Sequence, residues 1–322
     1  MGSLQLQKER VAMLSVASNS LLVLLKVIVG TAIGSVAIIS EAIHSAMDWL
    51  AAVVALFSVK RSHLPADIGH PFGHGKLESV SGLVEAVLIF IAAFWIIFEA
   101  VKKLVSAQPI EYPGWGTAVM FFSAVANYFV SRRLFQVGRA ADSIALEADA
   151  WHLRTDVYTS LGVMFSFLII WMSKYFWKDI NFYWLDPTAA IFIAVFILKA
   201  AYDLTAKALS DLMDVKLPVN EEDMIRGIIA GRQPAVRGFH RLKTRKAGNF
   251  RFIEFHIKVN PQMSVTSSHE ITRTLKNLII GKLPNTTVNI HVEPCEGDCT
   301  EECAAGCFLD KEQRPVALRH SA

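Results

Sequence analysis

The sequence predicts a six-helix, all-α membrane domain followed by a smaller C-terminal α+β domain, and three observations predict it. Apolar residues make up 53% of the 322, and the mean hydropathy is +0.38, too apolar for an ordinary soluble domain. Those residues fall in six runs, each long enough for the roughly 20 residues of helix that a bilayer requires. After about Leu209 the runs give way to shorter segments in which apolar and polar residues alternate.

The six runs extend from Val11 to Val29, Val36 to Val59, Val80 to Val101, Trp115 to Leu134, Ile144 to Trp171 and Thr188 to Leu209. Glycine, proline and charged clusters separate them. The first run lacks a small-residue cleavage site leading into a polar mature domain, so it reads as a membrane helix and not as a signal peptide. Lys8, Arg10, Lys60, Arg61, Lys76, Arg132, Arg133 and Arg139 fall on one side of the expected bundle. Only Lys102, Lys103, Lys174 and Lys178 fall on the other. The richer side is expected to be cytoplasmic, which gives a multi-pass protein of the cell membrane with both termini inside.

Beyond the membrane domain (1–208), Pro218 opens an amphipathic helix that ends before Pro234. Phe239 to Thr244 and Phe250 to Val259 read as strands. The second sets Phe250, Phe252, Glu254, His256 and Lys258 on one face and Ile253, Phe255 and Ile257 on the other. A helix from Ser267 to Lys282 and a strand from Thr287 to Val292 complete an αββαβ domain (209–294), and a cysteine-containing tail (295–322) follows it.

The second and fifth apolar runs each carry the pattern H-x-x-x-D, as His44 with Asp48 and His152 with Asp156. Residues four apart project from one helical face, ~6 Å apart along the axis. A carboxylate inside a bilayer costs several kcal/mol unless it is paired, hydrated or bound to metal. Two such helices facing one another offer two imidazoles and two carboxylates, a donor set that suits tetrahedral Zn²⁺ and leaves the loaded site formally neutral. In the following loop, Asp67, His70 and His74 are spaced to converge on one exposed ion, with Gly73 and Gly75 permitting a tight turn. In the C-terminal domain His240, His256, His269, His291 and Glu293 are candidate ligands. His291 and Glu293 share a strand face, which would let Glu293 bridge two ions.

These motifs, with the loop string His70-Pro71-Phe72-Gly73-His74-Gly75-Lys76, make the chain resemble the cation diffusion facilitator family over nearly its whole length, and in particular its bacterial zinc/proton antiporters. The resemblance implies a homodimer exporting divalent cations in exchange for protons, with a metallochaperone-like cytoplasmic domain. It implies a transport site of His44, Asp48, His152 and Asp156, with His at the first position accompanying zinc preference. It also implies a loop ion at Asp67, His70 and His74, and a binuclear cytoplasmic site in which Glu293 stands where the family has Asp. Zinc is thus expected both as substrate and as regulatory ligand. A charge pair between Lys76 and Asp214, with Asp211 as competitor, follows from the same resemblance.

Cys295, Cys299, Cys303 and Cys307 recur every fourth residue near the C-terminus. On a straight helix they would form a stripe of ~18 Å, too long for one Zn²⁺. Bending of the segment, separate pairs or free thiols all remain open. Lys26, Glu41, Glu85 and Glu99 read as charges at interfaces or against other helices. No basic–aromatic stretch points to nucleic acid, and no H-E-x-x-H string points to a metalloprotease. The rival readings are the same fold exporting Fe²⁺, Mn²⁺ or Co²⁺, and a membrane-anchored metal sensor or scaffold.

Overall fold

The computed structural model describes residues 2–33, 36–106, 114–176, 184–296 and 301–309, and the chain divides into two compact units, Met1–Leu212 and Met213–Ala322. Among the described residues of the first unit there are six long helices. They are α1 (Gly2–Ile33), α2 (Val36–Ser62), α3 (Lys76–Ser106), α4 (Gly114–Ala140), α5 (Ile144–Phe176) and α6 (Leu185–Leu212). Four of them contain stretches long and apolar enough to cross a membrane: Leu4–Ala32, Ala42–Ser62, Lys76–Val105 and Pro187–Leu212. The first half of α5 carries Glu147, Asp149, Arg154 and Asp156, which lowers its apolarity.

Several helices outrun the apolar runs because polar residues at their ends find partners inside the bundle. Helix α1 begins at Gly2, nine residues before the apolar run at Val11. In those extra turns Gln5 donates to the Val59 carbonyl (3.1 Å) and Lys8 pairs with Glu78. Glu78 is fully buried and also accepts from Ser62 (2.8 Å) and Ser143, so one carboxylate gathers α1, α2, α3 and the start of α5. The bundle interior is built on small residues, with Ala86, Ala93, Ala148, Ala201 and Ala208 wholly buried between α3, α5 and α6. Gly82 and Gly162 mark close approaches: a Cβ at Gly82 would lie 2.4 Å from Ile144 Cγ2 of α5, and one at Gly162 2.3 Å from Ile193 Cδ1 of α6, so each neighbour would have to shift. Close backbone approach through small residues is how helices pack when lipid supplies no hydrophobic drive. Leu21, Phe94, Trp95, Phe98 and Phe192 are left on the outer surface, as a lipid-facing wall requires.

In the second unit the order is α7 (Val219–Ala230), β1 (Gly238–Ala247), β2 (Phe250–Val259), α8 (Val265–Lys282), β3 (Thr286–Pro294) and α9 (Glu301–Ala305). The sheet runs β1-β2-β3, with β1 antiparallel to β2 and β3 parallel to it. A parallel partner needs a crossover, and α8 supplies it, opened by Ser264, whose hydroxyl accepts from the Ser267 amide (3.2 Å). Ile253, Phe255 and Ile257 turn inward against Ile225 and Ile229 of α7 and Leu275 and Ile279 of α8, all at most 1% exposed. The alternation along β2 is thus the one its sequence predicts. Beyond α9 the chain returns to the free edge of β1. The Phe239 amide donates to the Gly306 carbonyl (3.0 Å), the Phe308 amide to the Arg237 carbonyl (2.8 Å), and Cys307 bridges Gly238.

Candidate metal centres

The His/Asp pairs of α2 and α5 meet in one cavity of about 600 Å³ inside the helical unit. His44, Asp48, His152 and Asp156 all line it. His152 Nε2 and Asp48 Oδ1 share a hydrogen bond of 2.9 Å, and His44 Nε2 lies 4.0 Å from the same oxygen. Ligand atoms of His44, Asp48 and Asp156 lie within 4.8 Å of one another. Asp48 and His152 are buried, 4% and 8% exposed, whereas the His44 side chain is half exposed. The four groups thus draw on both helices as the i, i+4 spacing requires, with His152 turned onto Asp48 as its hydrogen-bond partner.

Further polar groups of this cavity belong to no metal-ligand pattern. Asn127 Nδ2 donates to Asp156 Oδ2 at 3.4 Å, Lys26 Nζ donates to Ser45 Oγ at 2.7 Å, and Asn19, Ser123, Thr155, Thr159 and Ser160 also line the wall. Their signal was present in the sequence as polar stripes within apolar runs. Ser123, Asn127 and Ser131 recur every fourth residue on α4, and Ser15, Asn19 and Lys26 recur at four and seven on α1. The cavity lies toward the ends of α1, α3 and α5 marked by Lys26, Trp95 and Thr159. At the opposite end, toward the 63–75 loop, Ala12, Val59, Leu134, Ala145, Leu146, Ala150 and Leu153 pack into a dry layer, and beyond it lies the Glu78 network.

Asp67, His70 and His74 come together in the loop between α2 and α3. His70 Nδ1 stands 3.2 Å and His74 Nε2 3.5 Å from the Asp67 carboxylate, and the two rings are 4.2 Å apart. Gly73, at φ +80, takes the left-handed conformation that makes the turn. The His70 amide bonded to Asp67 Oδ1 (2.6 Å) holds that carboxyl below its ordinary range.

In the second unit the sheet register does the assembling. His240 pairs with His256 across β1 and β2, and His256 with His291 across β2 and β3, so three imidazoles form a row with ring spacings of 5.2 and 4.7 Å. The next row on that face pairs Lys258 with Glu293. Glu293 accepts from Lys258 (2.7 Å) and is bonded to His256 Nδ1 (2.7 Å), with His240 Nε2 at 3.4 Å and His291 Nε2 at 3.8 Å. Desolvation opposes its ionisation, yet the Lys258 and His256 hydrogen bonds prevail and hold its carboxyl at about 2. Desolvation lowers the proton affinity of His240, against the opposing pull of Glu293. His240, His256 and Glu293 have donor atoms within 4.8 Å of one another.

Two expectations fall outside this grouping. His269 is exposed on α8, whose buried face is Leu275 and Ile279, and no donor atom of it joins the three-residue group. The described cysteines lie on separate elements, as a bent segment would place them. Cys295 follows β3, Cys303 is buried on the five-residue α9, Cys307 lies against β1, and Cys299 lies outside the described residues. The cause is the return of the chain to the β1 edge, which breaks the helix after Ala305. Asp214 is ion-paired with Arg245 (3.2 Å), and Lys76 donates to the Leu212 carbonyl (3.2 Å).

Comparison with known proteins gives the same division of the chain. Residues 12–213 match the cation efflux transmembrane domain, and residues 217–295 match the cytoplasmic domain of cation efflux proteins. An uncharacterised transporter of Synechocystis sp. is 34% identical over 263 residues, covering 82% of this chain and 83% of the relative. The cation-efflux pump FieF of Shigella flexneri is 31% identical over 286 residues, covering 89% and 92%. A solved structure of the putative zinc transporter CzrB is 35% identical, covering 24% of this chain and 96% of its own, with a TM-score of 0.23. The chain is a multi-pass membrane protein and a cation efflux transporter of the cation diffusion facilitator family.

Proposed function

We propose that the protein exports Zn²⁺ in exchange for protons by alternating access. The observation that carries this reading is the meeting of two imidazoles and two carboxylates from α2 and α5 in one intramembrane cavity. Nitrogen and oxygen donors without thiols suit a borderline divalent ion, zinc above the harder Mn²⁺. Metal binding requires deprotonated ligands, so loading releases protons and protons arriving from the far side drive the ion out. Only a difference in affinity between the two facing states can turn this exchange into transport. The dry layer and the Glu78 network at the loop end support a state closed on the side where the Lys and Arg excess lies, which is the cytoplasm on the positive-inside rule.

The loop triad and the His240/His256/Glu293 cluster act in this scheme as regulatory zinc sites, with His291 beside the second. The soluble unit joins two copies into a homodimer.

Proteoliposomes loaded with a zinc-sensitive dye and placed in a pH gradient test the proposal. Zinc flux should collapse in an Asp48→Ala, Asp156→Ala double variant, and unchanged flux would rule the site out. Competition by Fe²⁺, Mn²⁺, Co²⁺ and Cd²⁺ in the same vesicles measures the preference for zinc.

A further inference from the structure

The cysteine tail turns back onto the sheet face that carries the soluble cluster. His291 and Glu293 lie on the outer face of β3, and the strand period of two puts Cys295 next on that face. The Cys295 amide donates to the Val259 carbonyl at 2.9 Å, which holds it beside β2. At the opposite edge Cys307 pairs with Gly238, Gly238 with Lys258, and Lys258 with Glu293, so one row runs from the tail to the cluster carboxylate. Between these two cysteines in sequence, Cys303 is buried on α9, which packs against β1. The Lys258 ammonium, bonded to Glu293 at 2.7 Å, lies within electrostatic reach of both Cys303 and Cys295. A metal ion that takes the place of that ammonium thus comes within reach of sulfur. His240 supplies a second, independent observation. Its side chain is only 7% exposed, and its Nδ1 is buried with no hydrogen-bond partner among the described residues. Buried ring nitrogens are ordinarily satisfied, and a metal ion satisfies one as well as a hydrogen bond does.

We propose that Cys295 and Cys303 are ligands of the soluble metal centre, joining His240 in a mixed imidazole–thiolate site for a thiophilic divalent ion such as Zn²⁺ or Cd²⁺. This inference rests on the reading of the His240/His256/Glu293 cluster as a metal centre and adds sulfur to its donors. On a straight helix Cys295 and Cys303 would stand ~12 Å apart, too far to share an ion. With Cys295 at the end of β3 and Cys303 on α9, that limit does not apply. Each thiol gives its proton to solvent as its bond to the metal forms, and Lys258 withdraws from Glu293 on its flexible stem. Sulfur donors favour soft and borderline ions over Mn²⁺ and Mg²⁺. The soluble centre therefore discriminates more sharply than the membrane cavity, whose candidate ligands are nitrogen and oxygen only.

The test uses purified, reduced full-length protein carrying Asp48→Ala, loaded with Co²⁺ alone or Cd²⁺ alone. With the tail unaltered, ultraviolet absorption should show thiolate-to-metal charge transfer, a signature that imidazole and carboxylate ligands do not give. The band should be lost in a Cys295→Ser, Cys303→Ser double variant and reduced in His240→Ala, which leaves the thiols in place. Zn²⁺ affinity of the soluble centre should fall at least about tenfold in the double variant, since losing a ligand costs no less than losing its supporting partner. Cys303 is buried, so its replacement can also disturb the docking of α9, and the unaltered tail supplies a second measurement. Zn²⁺ should slow alkylation of Cys295 and Cys303, read by mass spectrometry, and His240→Ala should diminish that protection. Metal bound at the cluster with no charge-transfer band and no protection of the thiols would overturn the inference and leave the cluster reading intact. A band that persists in the double variant would overturn it as well. If His240→Ala and His256→Ala together remove no metal from the protein, the cluster reading itself fails and this inference falls with it.

Discussion

The membrane cavity and the sheet cluster use the same ligand chemistry in opposite geometries. On helices α2 and α5 the candidates recur every fourth residue, so each helix contributes two and only close packing unites them. On the sheet, neighbouring strands place one imidazole beside the next, and the row His240, His256, His291 follows from register alone. A lysine stands at each centre, and its position differs. Lys258 touches the carboxylate Glu293 directly at 2.7 Å, and Lys26 donates to the Ser45 hydroxyl at 2.7 Å. The sheet cluster is therefore closed by its own cation, which metal must displace, whereas the cavity carboxylates are held by uncharged or imidazole partners, Asp48 by His152 and Asp156 by Asn127.

The largest expected effect separates the two centres by function. Asp48→Asn should lower zinc flux by about two orders of magnitude, the scale of losing one charged ligand. His256→Ala should leave most of that flux while removing metal from the soluble unit, read by metal analysis of the purified protein. Equal losses of flux in both would break the comparison. Next in size is the cation that belongs to neither centre. Glu78→Gln leaves Lys8 buried without its counter-ion and should destabilise the helical unit by ~3–5 kcal/mol. Its unfolding midpoint in detergent measures this, and adding Lys8→Met should restore most of it.

A smaller effect is expected at the sheet. Lys258→Met removes the cation from Glu293 and should raise the zinc affinity of the soluble cluster about tenfold, measured with the membrane site disabled by Asp48→Ala. The smallest effect depends on pH. Glu293 titrates ordinarily near 4.5 and is held at about 2 in the fold. Its ion pair thus contributes stability that is complete above about 4.5 and is lost as the pH falls through about 2. Pepsin digestion across that range should show wild type better protected than Glu293→Gln at the upper end, with the advantage gone at the lower.

Much of this was legible in the sequence because it depends on local period. The alternation of Ile253, Phe255 and Ile257 identified the inner face of β2, and the H-x-x-x-D pairs identified the helix faces that line the cavity. What escaped depends on partners distant in the chain. Nothing near Lys8 announces that Glu78 lies beside it, so the first segment read as beginning at Val11 and Lys8 counted only toward orientation. Lys26 read as a charge at an interface or against another helix, and it does meet Ser45 of α2, but its place in the cavity wall depends on α4 and α5 as well. The cysteine spacing of four left a bent segment, separate pairs and free thiols open, because spacing carries no information about an edge strand waiting to be paired. His269 matched by position alone, and the face of α8 buried through Leu275 and Ile279 leaves it in solvent.

That pairing at β1 constrains how copies of the protein can assemble. Gly306 stands so close to Phe239 that a Cβ would fall 1.8 Å from its carbonyl oxygen, and Cys307 and Phe308 extend the contact to Gly238 and Arg237. The amides that an incoming strand would seek along the start of β1 are already taken. Strand addition at the start of that margin is thereby blocked.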